Sequence, residues 1–330
     1  MILILYFFRY GVFSKNKMYK QSEIKDIVQY AKYRGIRVIL ELDAPAHAGN
    51  GFQWGPDYGM GDIAVCVNQQ PWRQFCIEPS CGQLNPANPH LYSVLKEIYQ
   101  EMINVKDVNE FFHMGGDEIF FGCWNSTPEI INYMETKGWD RKVSGFLSLW
   151  SEFQENVLRI WDEITNRNDS IILWSSDLTD PNNIEKYLSK ERYIVQTWLP
   201  NNATIPFKLM DKGYRIIIST KDAWYFDHGF WGSTRYYNWK KVYSNRIPRN
   251  NLVLGGEACM WMEFCDEHGM DSKIWPRLAA VAERLWSDPT TSFKLAESRL
   301  NRHRERLIRK GIQPDAVTPE YCTIFEGECE

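Results

Sequence analysis

The chain has 330 residues, 44% hydrophobic and 24% charged, the composition of a folded globular protein, which excludes disordered, collagen-like and coiled-coil readings. Its 38 Lys and Arg against 42 Asp and Glu leave a net charge of −4, too weak a field to call for a phosphate backbone, so no nucleic acid partner is expected. Aromatic residues reach 15%, with 14 Trp, which fits a protein that stacks rings against a ligand such as a sugar, although any single Trp can equally fill the core.

Along the chain, Met1–Phe8 is apolar but short, with no preceding cation and no small-residue cleavage site, so it makes a poor signal peptide. Neither it nor any later stretch approaches the roughly 20 apolar residues of a membrane span. Ile24, Ile27, Val28 and Ala31 lie at helical spacing, predicting a helix over Ser22–Arg34 that stops at Gly35 before an apolar strand, Ile36–Leu42. The alternation repeats: helix Pro89–Val105 before strand Glu110–Met114, helix Ser144–Arg167 before strand Ser170–Trp174, and helix Ile184–Leu188 before strand Tyr193–Trp198. Helix Lys208–Lys212 then precedes strand Tyr214–Ser219, a sixth strand covers Leu252–Leu254, and Trp275–Trp286 and Ser292–Lys310 read as closing helices.

Near-continuous apolar strands alternating with helices predict a parallel sheet of the α/β class, doubly wound or closed into a (β/α)8 TIM barrel. The strand ends favour the barrel. Polar and aromatic residues follow the apolar runs: Glu41 and Asp43, Asp117 and Glu118, Trp174, Trp198, Tyr225, then Glu257 and Trp261. A barrel gathers such residues at one mouth. No GxGxxG or GxxxxGK[ST] segment supports a nucleotide site. The eight Cys (66, 76, 81, 123, 259, 265, 322 and 329) include no CxxC pair, so disulfides are expected rather than a structural metal. With sequons at Asn125, Asn168 and Asn202 they point to a glycoprotein of the secretory pathway, secreted or lysosomal.

The densest polar cluster is Phe111-Phe112-His113-Met114-Gly115-Gly116-Asp117-Glu118, where two glycines at a strand end let the backbone approach a ligand closely. Adjacent carboxylates cannot flank one glycosidic bond as the separated pair of an ordinary retaining glycosidase does, about 5 Å apart and on different elements. They need different tasks: Glu118 protonates the leaving oxygen while Asp117 holds a substrate group that itself attacks. Two other readings stay open here. One is an acidic turn in which Asp117 caps a helix; the other is a metal site of His113, Asp117 and Glu118, which lacks a second ligand cluster, so neither a metal nor a cofactor is expected.

His-Met-Gly-Gly-Asp-Glu followed by Cys123-Trp124 resembles the active-site signature of family 20 β-N-acetylhexosaminidases. Glu41-Leu42-Asp43-Ala44-Pro45-Ala46-His47, Trp224-Tyr225-Phe226-Asp227, Gly255-Gly256-Glu257-Ala258-Cys259-Met260-Trp261 and Trp275-Pro276-Arg277 are similar to that family in order and spacing. Within it, Trp72-Arg73, Cys81-Gly82-Gln83-Leu84-Asn85-Pro86 and the Cys322–Cys329 tail look most like arthropod enzymes that trim chitooligosaccharides or N-glycans. The resemblance implies exo-acting removal of terminal N-acetylglucosamine or N-acetylgalactosamine by retaining, substrate-assisted hydrolysis, an exception to the two-carboxylate scheme. It assigns Glu118 as acid and then base, Asp117 to the acetamido N–H and Tyr225 to the acetamido oxygen. Trp174, Trp198 and Trp261 match the family's aromatic box, Asp227 and Glu263 its hydroxyl-binding carboxylates, and His47 and His113 lie in or beneath the pocket. It also implies the disulfides Cys322–Cys329, Cys81–Cys123 and Cys66–Cys76, and leaves a homodimer open.

Family members carry an N-terminal α/β domain and two barrel strands before the region that matches Tyr10 onward. The expected organisation is therefore an unmatched apolar segment, 1–9, and a partial barrel with closing helices and tail, 10–330, without the family's sugar-binding Arg. The alternative to an active glycosidase is an inactive, truncated carbohydrate-binding relative.

Overall fold

The computed structural model describes residues 11, 14, 17–105 and 111–325. The N-terminal segment 1–9, Glu110 and Cys329 of the expected Cys322–Cys329 pair lie outside them. The chain falls into two compact units, Met1–Val195 and Gln196–Glu330. No helix among the described residues is long and apolar enough to cross a membrane.

In the first unit the predicted opening helix forms over Gln21–Lys32 and buries Val28 and Ala31. Among the described residues the strand expected at Ile36–Leu42 shows one bridge, Glu41 to His113, with Leu42 N–H on His113 O and His113 N–H on Leu40 O, both 3.1 Å. Ile36 and Ile39 are 59% and 40% exposed. An unpredicted antiparallel pair follows, β1 (Ala64–Val65) with β2 (Gln83–Leu84), each too short to leave a periodic signal.

β3 (Phe111–His113) and β4 (Ser170–Trp174) pair in parallel, Phe111 opposite Ser170 and His113 opposite Ile172, and β5 (Tyr193–Thr197) lies next to β4. Helices Pro89–Val105 and Val143–Thr165, both expected, cover this layer. Their contact is aromatic: Phe112 of β3 stacks on Trp161 at 3.9 Å between centroids, and Tyr99 meets both rings edge-on. Packing two large rings, Tyr99 and Trp161, on Phe112 anchors β3 just before the turn that carries Asp117 and Glu118. Short helices Phe121–Ser126 and Pro128–Thr136 were not anticipated; Pro128 fits the first turn of the second, where its missing N–H costs nothing.

The disulfides correct the expected pairing. Cys66 bonds Cys123, and Cys76 bonds Cys81. Gln83 explains the first, because its side chain accepts the Phe120 N–H at 2.5 Å and donates to Phe120 O at 3.2 Å, which brings the Cys123 helix against β1 and β2. Cys76 and Cys81 both lie on the Trp72 carbonyl, Cys76 through its N–H at 3.1 Å and Cys81 through Sγ at 3.4 Å. A bond between residues 57 apart restricts the unfolded chain by about 4 kcal/mol on the loop-entropy model, and the short bond by roughly half of that. We expect Cys66→Ala/Cys123→Ala to lower unfolding stability by about 2–4 kcal/mol in a urea titration. An unshifted midpoint would mean that the Gln83–Phe120 contacts alone hold this corner.

In the second unit, β6 (Arg215–Ile218) and β7 (Val253–Gly256) pair in parallel with a shift between Ile216 and Ile217. The predicted helix Trp275–Trp286 forms as Arg277–Ser287, after an unpredicted short helix Met270–Ile274, and Ser292–Lys310 becomes a short turn before Glu297–Arg309. Trp224, Trp239, Tyr243 and Val281 form the core. Buried Arg277 donates to Phe226 O at 2.7 Å and to Tyr237 O at 3.2 Å, so it braces the turn that follows Tyr225.

Candidate active site

Five of the predicted site residues belong to the first unit: His47, His113, Asp117, Glu118 and Trp174. Met114 and Gly115 continue the pairing just past β3, since Met114 N–H donates to Ile172 O at 3.0 Å and Trp174 N–H to Gly115 O at 2.9 Å. The backbone then turns through Gly115 and Gly116, both at positive φ (62° and 83°). Glu118 (φ 50°) and His47 (φ 52°) also sit in the left-handed region, unusual for residues with a Cβ and of the kind that collects at functional sites. These two meet: His47 Nε2 is 3.4 Å from Glu118 Oε2.

The space that the missing side chain of Gly115 opens is occupied by a residue outside the predicted set. A Cβ at Gly115 would lie 1.8 Å from Asp43 Oδ1, so the glycine admits Asp43 rather than a ligand. Asp43 Oδ1 accepts the Gly116 N–H at 2.9 Å, and its carboxyl hydrogen-bonds with Asp117. Burial and the Asp117 charge raise Asp43 well above the usual carboxylate range; burial, with the Glu118 charge, raises Asp117. At His47 burial opposes the imidazolium, but the Glu118 hydrogen bond and the charges of Asp43, Asp117 and Glu118 outweigh it and lift the group to about 9. His47 is therefore cationic at neutral pH, set among three carboxyls.

Asp117 Oδ1 is buried and accepts no hydrogen bond among the described residues. The helix after it starts at Phe121 with Phe120 as its cap, so the helix-capping reading of Asp117 does not hold. Asp43, His47 and Asp117 bring donor atoms within 4.8 Å of one another, a spacing that could hold a metal ion. Asp43 is tied to Asp117 and to the Gly116 N–H, and His47 to Glu118, so the three groups belong to one hydrogen-bonded and charged cluster. Beneath it, Trp174 donates its indole N–H to Glu41 Oε1 at 2.8 Å, and His113 accepts the Gly115 N–H on Nδ1 at 2.9 Å while packing against Trp174. His113 thus supports the turn. Glu41 and Asp43, already read from the sequence as residues at a strand end, lie two apart on an extended segment and so point the same way.

The other five predicted residues lie in the second unit. Tyr225 and Asp227 flank the turn braced by Arg277, both buried. Burial raises Asp227; one of its oxygens accepts the Trp261 N–H, and Oδ1 has no partner among the described residues. Glu263 is close enough for its charge to add to that shift. Trp261 is 39% exposed, and Lys221 Nζ sits 4.3 Å over the Trp198 ring. Two residues that sequence reasoning passed over also touch Tyr225: the His228 ring packs at 4.9 Å, and the Cys259 thiol hydrogen-bonds it.

Parallel strands alternating with helices, with carboxylates and indoles just past the strand ends, define an α/β protein of the (β/α)8 type, as expected. The chain belongs to glycosyl hydrolase family 20, whose catalytic-domain model matches residues 9–289. It is 41% identical, over 98% of its length, to a chitooligosaccharidolytic β-N-acetylglucosaminidase of Ostrinia furnacalis, and 41% identical over 97% to the protein of the same name from Bombyx mori. The fold matches Flavobacterium johnsoniae chitobiase with a TM-score of 0.73 at 27% identity, covering 93% of this chain and 44% of that one. The chain spans about half the length, 55%, of the curated relatives it matches.

Proposed function

We propose that this chain carries the catalytic machinery of an exo-acting β-N-acetylhexosaminidase that removes terminal N-acetylglucosamine from chitooligosaccharides, the substrate class in its relatives' names. The observation that carries the reading is Asp117: a buried carboxylate with a partnerless oxygen, one residue before Glu118, suits an acceptor for an amide N–H. Holding that N–H turns the acetamido oxygen toward the anomeric carbon. That oxygen attacks C1, the bond from C1 to the leaving oxygen breaks, and the Glu118 proton moves to the leaving oxygen. The resulting oxazolinium-like intermediate is opened by water, which gives a proton to Glu118 as it adds to C1. No enzyme nucleophile is needed, which resolves how adjacent carboxylates can serve one bond.

Tyr225 is assigned to the acetamido oxygen, Trp174, Trp198 and Trp261 to the sugar's apolar faces, and Asp227 and Glu263 to its hydroxyls, with the spare Asp227 oxygen supporting that choice. His47, against Glu118 at 3.4 Å, holds that carboxyl in place between its two proton transfers. An inactive binding relative would have no use for a set of carboxyls whose proton affinities are raised together. A secretory location is supported by the two disulfides and by the exposure of Asn168 and Asn202.

The test is substrate discrimination. An aryl β-N-acetylglucosaminide should be hydrolysed, while the aryl β-glucoside, which has a hydroxyl in place of the internal nucleophile, should react at least about a thousandfold more slowly. Comparable rates on the two would exclude substrate assistance.

A further inference from the structure

Glu41 reaches Trp174 across β3, with His113 between them. Glu41 bridges in parallel to His113, and His113 lies opposite Ile172 of β4. Partners in a parallel pair project to the same side, and Trp174 follows Ile172 by two residues, so the side chains of Glu41, His113 and Trp174 share one face. They meet there: Trp174 Nε1 donates to Glu41 Oε1 at 2.8 Å, and the His113 ring packs on the indole at 5.0 Å between centroids. The bond joins residues 133 apart in the sequence, so the fold sets it rather than the local chain.

An indole N–H can only donate, so Glu41 is the acceptor whatever its charge. His113 Nδ1 also lies 3.3 Å from Oε1, but it takes the Gly115 N–H at 2.9 Å and has no proton to offer there. Trp174 is 3% exposed, and a buried N–H is costly to leave without an acceptor. Turning the ring about its Cβ–Cγ bond, a soft torsion, would carry the N–H off Oε1. The hydrogen bond therefore holds the plane of the indole.

We propose that Glu41 is a positioning residue for the sugar: by accepting the Trp174 N–H it sets the angle at which the indole meets the sugar's apolar face. This rests on the proposed function, in which Trp174 packs on that face. An indole turned out of that plane loses contact with bound substrate and transition state alike, which shows as weaker binding rather than slower chemistry.

Kinetics of aryl β-N-acetylglucosaminide hydrolysis, with inhibition by free N-acetylglucosamine, decide it for wild type, Glu41→Leu, Glu41→Asp, Glu41→Gln, Trp174→Phe and the Glu41→Leu/Trp174→Phe double variant, with thermal unfolding monitored in each. Glu41→Leu should raise KM and the N-acetylglucosamine inhibition constant together, roughly 5- to 20-fold, with kcat within about threefold. Glu41→Asp, one carbon short of the indole, should do the same and takes the place of the leucine variant if that one does not fold. Glu41→Gln, which keeps an acceptor oxygen at the same reach, should stay within about threefold of wild type in all three constants. In the Trp174→Phe background Glu41→Leu should change KM by less than about twofold, because the N–H it serves is gone. A fall in kcat alone, the mark of a smaller folded fraction, would reduce Glu41 to a structural role and overturn the proposal. Equal rises in KM in both backgrounds, or a glutamine variant as impaired as the leucine one, would also overturn it. No turnover by wild type would overturn the proposed function, and this assignment with it.

Discussion

Glu118→Gln should abolish turnover of an aryl β-N-acetylglucosaminide, lowering kcat by about a thousandfold or more while KM moves only a few-fold. The amide keeps the side chain's shape and one acceptor oxygen but can neither deliver a proton to the leaving oxygen nor take one from water, so both halves of the reaction lose their acid–base group. Fold is not at risk, because Gln accepts the same left-handed backbone at φ 50° as Glu does. The variant also removes one of three carboxyls around His47. The Glu118 hydrogen bond and charge are among the effects that lift His47 to about 9, so its titration, followed by NMR, should move down toward the ordinary value of 6.5. Asp117→Asn should cost less, about ten- to a hundredfold, since its proposed task is to orient the amide. A Glu118→Gln enzyme with wild-type turnover would end the assignment of Glu118, and an unmoved His47 titration would deny the contact at 3.4 Å.

The parallel strands were legible because a strand buried on both faces is written as an unbroken apolar run, and Ser170–Trp174 reads that way to the residue. Ile36–Leu42 has the same composition but one hydrogen-bonded neighbour among the described residues, and composition cannot report how many neighbours a strand will have. β1 and β2 were invisible for a different reason: two residues carry no period, and buried Gln83 hides its role until Phe120 is placed beside it. Disulfide partners follow from that same juxtaposition, so the pairing carried over from the family resemblance went wrong where Cys123 and Cys66 meet. At the site, adjacency alone singled out Asp117 and Glu118. Asp43 was read only as a strand-end residue because its main partner, Asp117, lies 74 positions away in the sequence and only the fold brings them into contact.

Gly115→Ala should destabilise the fold by about 3–5 kcal/mol and remove activity from whatever remains folded. Two costs combine. A residue with a Cβ at φ 62° loses about 1 kcal/mol relative to glycine, and the added methyl would fall 1.8 Å from Asp43 Oδ1, 2.4 Å from its Cγ and 2.5 Å from its Cα. The last distance matters most, because a side chain can swing aside but Cα moves only with the chain. Shifting Asp43 withdraws the acceptor of the Gly116 N–H and the partner of Asp117, and the residue proposed to hold the acetamide loses its support. Gly138 separates the two costs: it has φ 70° and nothing within 4 Å of a built Cβ, so Gly138→Ala should show only the backbone cost of about 1 kcal/mol and keep full turnover. Trimming Asp43 should not rescue Gly115→Ala, since Asp43→Ala leaves the Cα where it was. Urea midpoints for the three variants read the difference directly. Equal stability of Gly115→Ala and Gly138→Ala would mean that Asp43 does not pack under the turn, and the hydrogen-bonded cluster built on that contact would fall with it.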